Sequence, residues 1–260
     1  LLKATSGEGI INGNRVTRNP LAVRRNVGYM PDAFGVYDGM RVWEFLDFFA
    51  VAYQIPRARR KQVIMDVLDL LELTGKRDDF VNSLSRGMKQ RLCLAKTLVH
   101  DPPVLILDEP ASGLDPRARI EVKALLKELR KMGKTILISS HILTELADCC
   151  TSIGIIERGT LLMHGSIEDV YRRIRRNRIV QIRFLENAEA GISVIRSLPE
   201  TRDVRVENHS VTVELAAEND AQVAALMEKL IASGVRMSSF ADKEPTLEDV
   251  FMLVTKGAVA

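Results

Sequence analysis

Three short apolar runs place the strongest constraint on the fold of this chain of 260 residues. They occupy residues 104–107, 135–138 and 153–156. Continuous runs of this kind are typical of strands that are buried on both faces of a parallel sheet. Between the first two runs, apolar residues of 117–132 recur at helical spacing. Such a strand–helix–strand unit predicts an α/β fold with a parallel sheet.

The residues ahead of the first run favour helices. Residues 42–53 are rich in aromatic side chains, and 60–73 place apolar residues on one face. Residues 85–99 predict a third helix, for which Ser85 is a good N-cap. We therefore expect a helical subdomain over residues 40–100, within a domain that spans residues 1–176.

A second domain is predicted over residues 177–260. Its pattern is the β-α-β-β-α-β order of a small ferredoxin-like α+β domain. The predicted elements are strands at 179–184, 204–207, 211–215 and 235–240, helices at 188–198 and 221–232, a hairpin turn at Asn208 and His209, and a terminal helix capped by Thr246.

The charge balance limits the classes of partner. The chain has 37 basic and 34 acidic residues, a net charge of +3, which argues against a nucleic-acid partner. The densest basic run, within 172–178, fits either a solvated helix face or a contact with lipid headgroups or a regulatory surface. No apolar run approaches the roughly 18–20 residues of a membrane span. A membrane function would therefore need a separate membrane-spanning polypeptide.

Three cysteines are present, Cys93, Cys149 and Cys150. None has metal-ligand spacing, and the adjacent pair is a poor disulfide candidate. We interpret all three as buried thiols of a reducing cytosol.

Two acids follow the first apolar run directly, Asp108 and Glu109. In parallel sheets, ligands bind in the crevice beyond the carboxyl ends of the strands. One carboxylate there can hold Mg²⁺, and the next can orient or deprotonate a water. Two acids after a strand also fit an ordinary loop start, so their interpretation depends on neighbouring segments.

Two further segments have residues suited to phosphate chemistry. Ser85 and Gly87 at a helix start expose a hydroxyl and N–H groups at the positive end of a dipole, which suits a phosphate, although N-capping alone also explains Ser85. His141 follows the strand predicted at 135–138. It is therefore expected at the same sheet edge as the two acids, where it could contact a transferring phosphoryl group.

Four motifs resemble those of ABC (ATP-binding cassette) ATPases. They are LSRGMKQR at 84–91, VLILDEP at 104–110, SGLDP at 112–116 and SSH at 139–141, similar to the signature motif, Walker B, D-loop and H-loop. The resemblance covers residues 5–176, and bacterial ABC-2-type exporters share an ending like PTLEDVF at 245–251. It implies a P-loop-NTPase-like α/β cassette, incomplete at its N-terminus, that uses ATP and Mg²⁺.

The resemblance also implies a role for each site residue. Glu109 would act as general base or position water, His141 would contact the γ-phosphate, and Asp108 would serve Mg²⁺. The residues expected to bind the ATP of an opposing cassette are Ser85, Arg86, Gly87 and Gln90, and those expected at the dimer interface are Ser112, Gly113, Leu114 and Asp115.

Two features depart from the family pattern. Asp32 stands at the Q-loop position, where the family usually has Gln, and is a further candidate Mg²⁺ ligand. The phosphate loop G-x-x-x-x-G-K-[ST] (Walker A) is absent from the sequence. Gly133-Lys134-Thr135 is a chance match, because Glu128 stands where the first Gly belongs and a strand follows. We expect an N-terminal truncation, and the sequence leaves open whether the chain hydrolyses ATP.

The expected function is the ATP-binding and ATP-hydrolysing subunit of an ABC transporter that energises export. Its expected place is the cytoplasmic face of the bacterial membrane, as a peripheral protein, with ABC-2-type permease subunits and a second cassette as partners. One alternative is a degenerate cassette that offers a half-site to a complete partner. Another is a soluble ABC ATPase that acts on ribosomes or DNA, against which stand the single cassette and the near-neutral charge.

Overall fold

The computed structural model describes residues 4–33, 35–37, 39–174, 178–207, 210–217, 219–243 and 246–255. The chain divides into two compact units, residues 1–145 and 146–260. The hairpin turn predicted at Asn208 and His209, and part of the arginine-rich run, lie outside the described residues.

The first unit combines a small parallel sheet with helices. Its elements are β1 (Ile10–Ile11), β2 (Asn14–Arg15), α1 (Pro20–Asn26), β3 (Val27–Met30), α2 (Val42–Ala52), α3 (Arg57–Leu70), α4 (Arg86–Leu98), β4 (Val104–Asp108), α5 (Pro116–Lys131) and β5 (Thr135–Ser139), with short 3-10 turns at Thr74–Lys76 and Val81–Ser83.

Strands β3, β4 and β5 run parallel in that order. Helix α5 connects β4 to β5, which confirms the predicted strand–helix–strand unit. The register pairs Asp108, the last residue of β4, with Ser139, the last residue of β5. The carboxyl ends of both strands therefore meet at one edge of the sheet.

Helices α2, α3 and α4 pack together and form the helical region predicted between β3 and β4. Phe45, Leu68 and Leu92, one from each helix, are fully buried. Leu105 and Leu107 of β4 belong to the same core. Burial of these apolar side chains stabilises the helices against the strand that leads to the two acids.

A half-buried histidine joins the helical region to the sheet. The ring of His100 stacks on Tyr53 with centroids 3.6 Å apart, and its Nε2 lies 3.2 Å from the carbonyl oxygen of Val27. Burial lowers the pKa of His100, because desolvation of the charged ring outweighs the carbonyl, which acts in the opposite direction. The residue after α2, the second residue after α4 and the first residue of β3 are thus held together.

The second unit contains most of the remaining elements. In chain order they are α6 (Leu143–Cys149), which begins before residue 146, then β6 (Ser152–Glu157), β7 (Thr160–Ser166), α7 (Ile167–Ile174), β8 (Arg178–Glu186), α8 (Ala188–Ser197), β9 (Thr201–Glu207), β10 (Ser210–Leu215), α9 (Asp220–Ala232), β11 (Arg236–Lys243) and α10 (Leu247–Val254).

The third apolar run does not lie in the parallel sheet. Strand β6 pairs with β7 in an antiparallel hairpin, so the prediction of a buried parallel strand at 153–156 is wrong. Arg158 and Gly159 have φ angles of 49° and 76°, as the two central residues of a tight hairpin turn require. Ile156 is consequently 65% exposed.

Strands β8 to β11 form an antiparallel sheet in the order β11-β8-β10-β9. With α8 and α9 they follow the predicted β-α-β-β-α-β sequence of a ferredoxin-like sandwich. Val180 and Ile182 of β8, Ile195 of α8, Val213 of β10 and Leu226 of α9 belong to its buried core. Buried residues alternate with more exposed ones along β8 and β10, because only one face of this sheet is covered by the core.

The terminal helix begins as predicted. The Thr246 hydroxyl accepts from the Asp249 N–H, and the Asp249 carboxylate accepts from the Thr246 N–H, which completes a capping box. The prediction of buried cysteines is correct for Cys93 and wrong for Cys149 and Cys150, which are half-buried. These two lie where α6 ends, so solvent reaches both.

Among the described residues, none of the helices combines the length and the hydrophobicity that a bilayer span requires.

Candidate active site

Asp108 and Glu109 lie at the carboxyl end of β4. The hydroxyl of Ser139, at the end of β5, donates to Oδ1 of Asp108. The N–H of Glu109 donates to the Ser139 carbonyl oxygen over 3.1 Å. Glu109 has a φ of 49°, unusual for a residue other than glycine. The backbone therefore leaves the strand abruptly and presents the Glu109 carboxylate toward the end of the neighbouring strand.

His141 meets Glu109 at this edge. Its N–H donates to Oε1 of Glu109, and its Nδ1 lies close to Oε2, both over 2.9 Å. The His141 side chain is 70% exposed, whereas the Glu109 side chain is 21% exposed. The structure thus brings together the three residues, including Asp108, that were predicted from separate motifs.

The hydroxyl of Ser139 was missed as a site residue in the sequence. The signal for it was available, because two five-residue parallel strands in register place Ser139 opposite Asp108. A hydroxyl that donates to a carboxylate fixes the orientation of that carboxylate. Ser139 therefore positions Asp108.

The start of α4 holds the signature residues. Ser85 caps the helix, since its hydroxyl accepts from the Met88 N–H over 3.3 Å. Ser85 and Arg86 are exposed, and Gly87 is half-buried. The remaining N-terminal N–H groups of the helix form a positive end that suits an anion.

Gln90 differs from the other signature residues, because its side chain is only 2% exposed. Its amide group donates to the carbonyl oxygen of Pro110, the residue after Glu109. Gln90 thus ties α4 to the segment that leaves the acid pair. The contact with ATP predicted for Gln90 remains a prediction.

The D-loop residues pack against the same helix start. Gly113 has a φ of 67°, and a Cβ at this position would overlap the guanidinium of Arg86. Leu114 is 6% exposed, and its Cδ2 would lie 3.5 Å from a Cβ at Gly87. Ser112 donates from its N–H to the Glu109 carbonyl oxygen over 3.1 Å. Glycine at 113 therefore leaves room for Arg86 beside the D-loop.

Asp115 closes this loop by capping α5. Its Oδ1 accepts from the N–H groups of Arg117 and Ala118, each over 3.0 Å. These hydrogen bonds, that of Ala118 foremost, lower the pKa of Asp115 because they stabilise the ionised carboxylate. Pro116 takes the first helical position, where a missing N–H costs nothing.

Asp32 lies in an open cleft of about 510 Å³. Ala33, Leu84, Arg86 and Lys89 also line it. The charged lining of one acid and two bases makes the cleft favourable for anions. Asp32 therefore lines the same cleft as signature residues. Its role as an Mg²⁺ ligand remains a prediction.

Among the described residues, no group of three or more His, Cys, Asp or Glu side chains could hold a metal ion. Mg²⁺ in nucleotide sites is bound through one or two carboxylates together with waters and substrate phosphates. Asp108, whose carboxylate is oriented by Ser139, fits such a site.

Comparisons with known proteins agree with these motifs. The ABC transporter family matches residues 1–112, and the C-terminal domain of DrrA1-3-like ATP-binding proteins matches residues 165–255. Two curated proteins of Bacillus subtilis (strain 168) are similar over nearly the whole chain. The linearmycin resistance ATP-binding protein LnrL is 28% identical over 98% of this chain and 82% of its own length. The uncharacterized ABC transporter ATP-binding protein YcbN is 33% identical over 99% and 81%.

Solved structures extend this agreement to the fold. An ATP-binding subunit of an ABC transporter has a TM-score of 0.57 and 30% identity, over 64% of this chain and 69% of that one. CbiO1 from Clostridium perfringens, part of the transporter complex cbiONQ, has a TM-score of 0.58 and 26% identity, over 67% and 74%. Four motifs in order, a shared fold and a relative 33% identical over four fifths of its length establish that the chain belongs to the ATP-binding proteins of ABC transporters.

Proposed function

We propose that this chain is the ATP-hydrolysing subunit of an exporter and acts through separate membrane subunits of the ABC-2 type. The observation that supports this most strongly is the contact of Glu109 with His141, over 2.9 Å, beside Asp108. Phosphoryl transfer to water uses a residue that orients the water and a carboxylate that serves Mg²⁺, and Glu109 and Asp108 can supply these two groups.

Each residue has a separate role in this proposal. Glu109 orients the attacking water and accepts its proton, because its carboxylate lies beside His141 at the edge of the sheet where ligands bind. His141 holds Glu109 in place and contacts the γ-phosphate. Asp108, oriented by Ser139, serves Mg²⁺, which when bound neutralises charge on the phosphates.

The signature residues act on the ATP of a second cassette. Ser85, Arg86 and Gly87 form an exposed or half-exposed helix start that offers a hydroxyl, N–H groups and a positive charge to a γ-phosphate. Asp115 and the D-loop, whose Gly113 packs against Arg86, lie at the dimer interface. Contacts between the two motifs would link the states of two ATP sites.

The membrane partner is proposed to bind the helical region. Tyr37, Phe48, Val51 and Phe80 are each between 46% and 53% exposed. Exposed apolar side chains at this density favour a protein partner over solvent. Export is supported by relatives such as the Nod factor export ATP-binding protein I of Rhizobium sp. (strain N33), 30% identical over 96% of this chain and 79% of its own length. The cytoplasmic face of the membrane follows from this role.

A second candidate function is a half-site in a dimer with a complete cassette. It is supported by the formed signature helix, whose exposed Ser85 is available to the ATP of another cassette. In this case ATP would bind to the loop of the partner and to Ser85 and Gly87 of this chain. Residues 1–176 remain the proposed ATPase domain and 177–260 the proposed accessory domain in either case.

The decisive experiment joins a phosphate-loop segment of an ABC ATP-binding protein ahead of Leu1 and measures ATP hydrolysis. Glu109→Gln is expected to lower turnover by a factor of about 10²–10⁴, the range of general base catalysis, and to leave ATP-dependent dimers intact. Glu128→Gln, an acid on the surface of α5, is the matched control and should keep full turnover. Undiminished turnover of Glu109→Gln would exclude the proposed role.

ATP binding by the chain of 260 residues distinguishes the two candidate functions. By calorimetry it is expected to bind ATP weakly alone and to join a complete cassette only when ATP is present. Micromolar ATP affinity of the isolated chain would show that it contains a phosphate site of its own, contrary to the half-site.

A further inference from the structure

Two adjacent thiols lie side by side at the end of α6. Cys149 is the last residue of the helix, Cys150 follows, and their Sγ atoms are 3.8 Å apart. The N–H of Cys150 still donates to the Leu146 carbonyl oxygen over 2.9 Å, so the last helical turn is intact. Both residues are half-buried, so that reagents in solvent have access to the pair.

The separation of the sulfurs suits a bridging atom. A disulfide requires sulfurs about 2.05 Å apart, so it would have to draw the two sulfurs together and distort the turn. A single atom with two sulfur bonds of about 2.3 Å, the length of zinc–sulfur bonds, can span 3.8 Å without that movement.

The surroundings limit which bridging atom fits. Thiophilic metal ions such as Zn²⁺ take four ligands in closed protein sites. Among the described residues, no cluster of three or more His, Cys, Asp or Glu side chains is available. An atom that needs only two protein sulfurs is therefore favoured, and trivalent arsenic with one organic substituent is such a centre.

We propose that Cys149 and Cys150 form a dithiol site for monosubstituted trivalent arsenicals. The arsenic–oxygen double bond of R–As=O is replaced by two arsenic–sulfur bonds. The two thiol protons leave with the oxygen as one molecule of water. Arsenic stays trivalent and the sulfurs stay reduced, so the reaction needs no oxidant or reductant.

The site closes a ring across one peptide bond at the end of α6. Helix α6 itself begins two residues after His141 in the sequence. Binding uses the two thiols and their separation, and it involves none of the residues proposed to bind ATP. The test of the dithiol site is therefore independent of the proposed ATPase function.

The reduced chain of 260 residues, treated with phenylarsine oxide, tests this site. One adduct per chain, with loss of one water, is expected by native mass spectrometry. The count of accessible thiols in the folded chain should fall from two to none, because Cys93 is buried. The count after denaturation should fall from three to one. A dithiol such as 2,3-dimercaptopropanol should remove the adduct, whereas 2-mercaptoethanol at the same thiol concentration should not.

Single substitutions provide the controls. Cys149→Ser and Cys150→Ser are each expected to bind about 100-fold more weakly, because the second bond to a tethered thiol is lost. Cys93→Ala should bind as the wild type does, since Cys93 is 1% exposed and burial raises its pKa. Retention of three thiols by the wild type, or unchanged binding by Cys149→Ser, would overturn the proposal. Far-UV circular dichroism establishes that each variant is folded.

Discussion

Charged residues are arranged differently in the two units of this protein. At the sheet edge of the first unit, Glu109 pairs with His141, whose side chain is 70% exposed whereas that of Glu109 is 21% exposed. In the second unit, Arg178 binds the carboxylates of Asp242 and Asp220, and these hydrogen bonds, that of Asp242 foremost, raise the pKa of Arg178. The Arg178 ion pairs tie β8 to β11 and α9, whereas an exposed side chain at a sheet edge can act on a ligand.

The difference extends to the backbone. In the first unit Glu109 has a left-handed φ where two motifs meet, a conformation that costs about 1–2 kcal/mol for a residue with a Cβ. The ferredoxin-like sandwich keeps its described left-handed residues, such as Asn187 and Gly234, at helix ends. Strain beside reactive groups is a feature of functional sites, which points to the first unit as the reacting part.

The largest expected effect concerns the two cores. Leu105→Ala in β4 and Ile182→Ala in β8 each open a cavity in place of a fully buried side chain. Each should lower the free energy of unfolding by about 2–5 kcal/mol. Trp43, the single tryptophan, lies in α2 of the first unit and reports its unfolding by fluorescence in urea.

The readout separates the two units. Leu105→Ala is expected to shift the Trp43 transition, and Ile182→Ala to shift the far-UV transition of the sandwich. A loss below 1 kcal/mol in Leu105→Ala would contradict the packing of β4. Equal shifts of the Trp43 transition in both variants would show that the two units unfold together and not separately.

A smaller effect is expected at Gly113. Gly113→Ala places a Cβ at a left-handed φ and displaces Arg86. It should therefore lower the free energy of unfolding by more than the roughly 1–2 kcal/mol that the φ angle alone costs. Gly133→Ala is the matched control, because its φ is 86° and no atom lies within 4 Å of the added Cβ. Urea unfolding followed at Trp43 measures both.

The double variant identifies the source of the difference. In a chain that already carries Arg86→Ala, adding Gly113→Ala should lower the free energy of unfolding by no more than Gly133→Ala lowers it in the wild type. A Gly113→Ala variant that is as stable as Gly133→Ala would show that Arg86 does not pack against the D-loop.

The smallest effect compares two helix caps. Asp115 caps α5 in the first unit, and Asn219 caps α9 in the second through its Oδ1 and the Gln222 N–H. Because the pKa of Asp115 is lowered by folding, its ionised form adds stability above the ordinary Asp pKa of about 3.9. That contribution is lost as pH falls through the folded pKa.

The pH dependence follows from this sign. The stability difference between wild type and Asp115→Asn is expected to be constant near neutral pH and to shrink below about pH 4. Asn219→Asp should introduce the same dependence into the second unit. Thermal unfolding across pH 3 to 7 checks both, and a difference that grows as pH falls would refute the role of Asp115 as an ionised cap.

Much of this structure could be predicted from local pattern. The apolar run before Asp108, the spacing of α5 and the Ser85 cap are short-range signals, and each led to an element within a few residues of its observed bounds. The strand at 153–156 was misplaced, because the pairing of a strand depends on its neighbour. Two left-handed residues, Arg158 and Gly159, turned it into a hairpin.

The sequence by itself determined the family motifs, the order of helices and strands and the residue types available for phosphate chemistry, since these depend on identity and spacing along the chain. Only the tertiary structure decided that Glu109 contacts His141, that Ser139 orients Asp108 and that Gln90 is turned inward to Pro110. The physical reason is that these contacts join residues 20 to 32 positions apart. Their geometry is set by strand register and core packing, which no local pattern specifies.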